Sequence, residues 1–168
     1  SHGYMLSLLG GFEDAGGMVA YQSPLLRATA LNSGGFQLEI GGEESMQIET
    51  ALLINCAGMS APKVAAAIEG LDPAHIPRAY FAKGNYFSLS GKSPFRHLIY
   101  PIPEPGGLGV HLTLDMAGQA KFGPDVEWLD IAAEAEVDYS VDPRRGDSFY
   151  AAVRRYWPGL KDGALMPD

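Results

Sequence analysis

Two short segments near the middle of the chain carry the side chains best suited to moving a proton. Leu98-Ile99-Tyr100-Pro101-Ile102-Pro103 is followed by Leu108-Gly109-Val110-His111-Leu112-Thr113. Both alternate with the period of two expected of strands. Alternation sets Tyr100 and Ile102 opposite Ile99 and Pro101, and sets Gly109, His111 and Thr113 opposite Leu108, Val110 and Leu112. If the segments pair, Tyr100 and His111 share a face. An imidazole accepts a proton near neutral pH more readily than any other side chain, and a phenol orients a carboxylate or hydroxyl. The pair therefore suits abstraction of a proton from a small hydroxy or amino acid. An ordinary tyrosine and histidine on a half-exposed sheet show the same spacing, and spacing alone leaves both readings open.

Lys83-Gly84-Asn85-Tyr86 adds a cation and an aromatic ring to the same region. A lysine there attracts an anionic substrate or is simply solvated. A further candidate is Asn55-Cys56-Ala57-Gly58, where small residues follow a continuous apolar run, Ala51-Leu52-Leu53-Ile54. Ligands of α/β sheets bind beyond the carboxyl ends of strands, although such a turn also serves only to pack a helix close to a sheet. Cys56 has no flanking cation, so it reads as a small buried hydrophobe before a nucleophile. His75 and His97 lack partners at metal-ligand spacing, and no metal site is predicted.

These residues need elements to hold them. Met5, Leu8, Leu9 and Phe12 recur at helical spacing, so 3–15 is predicted as a helix with one buried face, stopped by Gly16-Gly17. Met18 to Tyr21 and Leu25 to Leu31 lean towards strand, and Phe36 to Ile40 with Met46 to Glu49 completes an antiparallel meander. The apolar run 51–54 reads as a strand covered on both faces, and Ser60 to Ile68 as a helix ending at Gly70. Strands are expected over 80–89, 97–102 and 108–114, forming a mainly antiparallel sheet. Beyond Phe122 the pattern is less regular until Asp142-Pro143, after which Phe149, Val153 and Tyr156 mark an amphipathic helix ending at Trp157-Pro158-Gly159. The expected class is α+β, mixed α/β in places.

Composition bounds what this arrangement does. The chain has 168 residues, 46% hydrophobic and 19% charged, which is a globular composition with enough length for about one domain or parts of two. Lys+Arg 12 against Asp+Glu 20 leaves a formal charge of -8, a poor basis for gripping nucleic acid phosphates. No apolar run approaches the ~18 residues of a membrane span, and the N-terminal residues do not read as a signal peptide. The single cysteine excludes an intramolecular disulfide and fits a reducing, cytoplasmic setting.

Taken in order, Leu53 to Ala61, Lys83 to Phe87, Leu98 to Pro103 and Leu108 to Thr113 resemble successive motifs of the FAD-dependent oxidoreductases of the D-amino-acid oxidase superfamily. The resemblance is closest to the L-2-hydroxyglutarate dehydrogenase (oxidase) branch. It implies that Cys56, Ala57 and Gly58 lie against FAD and that Pro24, Leu25 and Leu26 meet its adenine end. It further implies that the antiparallel sheet roofs the flavin, with Tyr100 and His111 orienting a 2-hydroxy acid or amino acid and taking its proton, and Lys83 and Tyr86 binding substrate. Phe122-Gly123-Pro124 is similar to a turn of the same family.

Two departures stand out. No G-x-G-x-x-G, the loop that sets a dinucleotide pyrophosphate on a helix N-terminus, is present. Lys83 stands where the family commonly has arginine, which keeps the charge but not a bidentate grip. The chain therefore reads as an internal fragment: residues 1–62 as part of an FAD-binding domain, and 63–168 as an antiparallel substrate domain with a C-terminal helix. Its partners would then be the N- and C-terminal parts of the same enzyme. Competing readings are a non-catalytic small-molecule-binding or interaction domain with the same sheet, and a cofactor-free enzyme using His111 with Tyr100.

Overall fold

The computed structural model describes residues 1–103 and 107–168. They form an α+β protein of two compact units, Ser1–Ala79 and Tyr80–Asp168. The division falls later than 62/63 because Ile68 and Glu69, at the end of the second helix, pair in parallel with Ala28 and Thr29 and tie that helix to the first unit.

The first unit opens with α1 (His2–Asp14) and continues through the meander β1 (Leu25–Ala30), β2 (Phe36–Ile40) and β3 (Met46–Thr50). A 3-10 turn at Gly58–Ser60 leads into α2 (Ala61–Ala66), and β4 (Ile68–Glu69) closes the sheet in the order β3-β2-β1-β4. Alternation is visible in β1 and β2, where Ala28 and Leu38 face each other in register and are the buried members of their strands. On the outer surface Arg27 and Thr29 both donate to the Glu69 carboxylate, joining β1 to β4.

Four expectations fail here. α1 forms as its spacing predicts, but it has no buried face: Tyr4, Met5, Leu8 and Phe12 are all exposed. Met18 to Tyr21 is not a strand. The run 51–54 opens on a bend at Ala51 and has no ladder partners, and Leu52 and Ile54 are 67% and 72% exposed, so it is not the doubly covered strand that its apolarity suggested. The helix predicted to reach Ile68 stops at Ala66, and β4 takes the residues that follow.

The second unit builds its core on one antiparallel sheet. β5 (Phe81–Lys83), β6 (Phe87–Leu89), β7 (His111–Leu114), β8 (Ala120–Gly123), β9 (Glu127–Leu129) and β10 (Leu165–Pro167) appear in chain order, with α3 (Gly146–Arg154) between the last two. The main sheet runs β10-β6-β8-β7, and β5 pairs separately with β9. Phe87, Leu112 and Phe122 bury one face against Phe149 and Val153, the two apolar positions one helical turn apart that marked α3 in the sequence. Phe87 and Phe149 pack at 4.7 Å between ring centroids, and Gly146 leaves room for the Phe87 ring. Of the strand expected over 97–102 only a bridge survives, Ile99 to Leu112.

The turn ahead of α3 carries a titration marker. The Asp142 carboxylate accepts from the Arg144 guanidinium and from the Arg144 backbone N–H, which hold its pKa down to about 2 from an ordinary 3.8. A carboxyl depressed by folding stabilises the folded state above its unfolded pKa, and that contribution is lost as pH falls from near 4 through about 2. We expect Arg144→Ala to raise the midpoint followed by carboxyl NMR; a midpoint left near 2 would assign the depression to the backbone donor alone.

Candidate functional site

In the first unit, Pro24 and Leu25 at the start of β1 come together with Ile54, Cys56 and Ala57 around a cleft of about 620 Å³. That volume lies within the ~300–1,000 Å³ usual for small-molecule sites. Asn55 shapes the wall: its Nδ2 donates to the Ala61 carbonyl at 2.8 Å, and its Oδ1 accepts from the Ala57 N–H at 3.2 Å. Gly58 follows at φ +58, a left-handed conformation that lets the chain turn directly into the 3-10 segment. Cys56 is exposed on this wall rather than buried, because the run leading to it is not covered.

The cleft walls are mostly apolar, with Leu26, Leu53 and Val64 completing them, and Lys63 is the cation among the lining residues. An apolar slot edged by one positive charge fits a flat heterocycle joined to phosphate. Five of the six residues expected at a cofactor, Pro24, Leu25, Leu26, Cys56 and Ala57, line this single cleft, and Gly58 adjoins them. Lys63 was not among them. Its signal lay in position alone: it sits in the first turn of α2, and helical side chains lean back towards the N-terminus, here towards the small-residue turn.

In the second unit, Tyr100 and His111 lie against each other, ring centroids 4.0 Å apart and planes 12° from parallel. The cause is the antiparallel bridge beside them: Ile99 N donates to Leu112 O at 3.0 Å and Leu112 N to Ile99 O at 2.8 Å. With Leu112 fully buried in the core, alternation turns its neighbour His111 to the other face, where Tyr100 meets it. Tyr100 is 61% exposed, so the stacked pair opens to its surroundings.

His111 also has a fixed tautomer. Its Nε2 lies 3.0 Å from the Leu108 carbonyl, which accepts only, so Nε2 carries the hydrogen and donates it. Nδ1 is then the ring's acceptor in the neutral form.

Lys83 and Tyr86 do not join this pair. The Lys83 ammonium donates to the carbonyls of Asp138 at 3.0 Å and Ser140 at 2.8 Å and faces Glu127 at 3.5 Å, so its donors are engaged internally. Beside it, Asn85 is buried at 1% exposure and donates through Nδ2 to both Asp125 and Glu127, each at 2.9 Å. Arg145 closes the cluster with a 2.7 Å bond from Nε to Asp125. The Tyr86 ring packs against Gly123, the ladder partner of His111, where a Cβ would come within 2.6 Å of the ring. Tyr86 thus packs on the strand opposite His111, while Lys83 is held by the Asp138 and Ser140 carbonyls and by Glu127 of β9. Among the described residues no group of His, Cys, Asp and Glu gathers to hold a metal ion, and no helix is long and apolar enough to cross a membrane.

Comparison with known proteins gives this geometry a lineage. Residues 1–166 match the family model described as FAD dependent oxidoreductase. The chain is 45% identical over 132 residues to the mitochondrial L-2-hydroxyglutarate dehydrogenase of Arabidopsis thaliana, covering 74% of this chain and 27% of that protein. It is 35% identical over 151 residues to the mitochondrial L-2-hydroxyglutarate dehydrogenase of Caenorhabditis elegans, 84% of this chain and 33% of that one. With the L-2-hydroxyglutarate dehydrogenase of Salmonella houtenae it shares 35% over 118 residues, 68% of this chain and 26% of that one. The chain thus spans between a quarter and a third of the length of these relatives. With the match running across both compact units, the chain belongs to the FAD dependent oxidoreductase family.

Proposed function

We propose that the chain is an internal segment of a longer flavoenzyme that oxidises a small 2-hydroxy acid, with L-2-hydroxyglutarate as the leading substrate. The stacked Tyr100–His111 pair carries this reading: a tautomer-fixed imidazole with an open neighbour, on the sheet face turned away from the core. The names of the relatives support the substrate class. The first unit contributes cofactor contacts through Pro24, Leu25, Cys56, Ala57 and Gly58, and the second contributes the substrate sheet.

FAD, when bound, supplies the two-electron acceptor for the hydride leaving the substrate carbon. Everything else falls to the polypeptide. His111 takes the substrate hydroxyl proton at Nδ1, and the Leu108 carbonyl, already accepting from Nε2, holds the imidazolium that results. Tyr100 keeps the ring plane fixed from one side and presents its hydroxyl to the substrate carboxylate. Tyr86 packs against Gly123 opposite His111, and Lys83 ties β5 to the 138–140 segment.

The test is spectroscopic. The full-length product of the gene encoding this chain should be yellow, and anaerobic L-2-hydroxyglutarate should bleach its visible flavin band. A colourless product that ignores added FAD, or a flavin band left intact by a panel of 2-hydroxy acids and amino acids, would sink the proposal.

A further inference from the structure

Lys63 brings a positive charge to the lining of the first-unit cleft. The walls around it, Leu25, Leu53 and Val64 among them, are apolar, and Lys63 is the cation that lines them. Among the described residues it forms no ion pair. Its positive charge is the local feature of this lining that favours a phosphate at the cleft edge.

We infer that Lys63 is the phosphate anchor of the cleft: its ammonium pairs with a phosphoryl oxygen of the nucleotide whose rings the apolar walls receive. The inference rests on the reading of this cleft as an FAD site and adds a residue to it. A lysine suits the task because its compact charge meets phosphate without the fixed geometry that a guanidinium fork imposes. Asn55 contributes indirectly, since its bond to the Ala61 carbonyl fixes the turn from which α2 and Lys63 depart.

The experiment measures FAD affinity in the flavin-stripped full-length protein, by flavin fluorescence, across a range of salt. Lys63→Met keeps most of the apolar stem and removes the charge, so it should weaken FAD binding at low salt about tenfold, roughly the loss of one charge-assisted contact. The gap to the unaltered protein should narrow as salt screens the interaction, and Lys63→Arg should bind nearly as the unaltered protein does. Binding by Lys63→Met that is unchanged at low salt, or a loss that persists undiminished at high salt, overturns the inference. Val64→Trp, which fills the cleft, separates this from the reading beneath it. If Val64→Trp leaves FAD binding intact, the cleft is not the cofactor site and the inference goes with it. If Val64→Trp abolishes binding while Lys63→Met does nothing, only the role of Lys63 is lost.

Discussion

Replacing His111 by asparagine in the full-length flavoenzyme should lower kcat by a factor of about 10²–10⁴, the usual contribution of a positioned general base. Asparagine ends near the Nδ1 position and does not replace the Nε2 bond to the Leu108 carbonyl, and its amide takes up no proton at neutral pH. Substrate affinity should change far less than turnover, because the proton moves only in the reaction itself. Stopped-flow reduction of the flavin by saturating substrate reads the step directly. Reduction at the original rate would remove His111 from the base role and leave its stack with Tyr100 as packing.

The second large effect concerns the platform beneath that pair. Phe122 is fully buried, lies opposite Leu112 and Phe87 in the two ladders of β8, and stacks on Trp157 at 6.3 Å between centroids. Phe122→Ala should destabilise the protein by about 3–5 kcal/mol, the transfer free energy of the ring together with a void that the surrounding sheet and helix fill only in part. Urea unfolding of the purified chain, followed by tryptophan fluorescence, measures it. A loss below about 1 kcal/mol would mean that β6, β7 and α3 do not close on this ring as a single core.

Where side-chain period and neighbouring chain agreed, the sequence was legible. The 2-residue alternation on either side of Ile99 and Leu112 was enough to place Tyr100 beside His111, although 97–102 pairs at one bridge only. Phe149 and Val153 likewise marked the buried side of α3. The failures have a common physical form. Apolarity in 51–54 reports a preference for cover, not the presence of a neighbour to provide it, and the same is true of the exposed Met5, Leu8 and Phe12 in α1. β9 and β10 were missed because three residues are too few to display a period, and both contain residues that read as polar or breaking: Glu127 in one, Pro167 in the other.

The candidate site divided in the same way. The small-residue turn at 55–58 announced itself by composition, and the structure brings most of it to one cleft. Lys83 was legible as a cation but not as an occupied one. Its partners, the Asp138 and Ser140 carbonyls and Glu127, are distant in sequence and include two backbone atoms that no pattern of side chains reveals.

The uncovered stretch after β3 has a consequence for handling. Ala51 to Ile54 is uncharged, free of proline and without a ladder partner among the described residues, and it ends two residues before an exposed thiol at Cys56. Short stretches of this kind recruit copies of themselves into stacked cross-β ribbons. Concentrated stocks of the isolated polypeptide should therefore gel or precipitate from this segment first. A single lysine at Leu52, whose side chain already meets solvent, is the gatekeeper to install before any solution work.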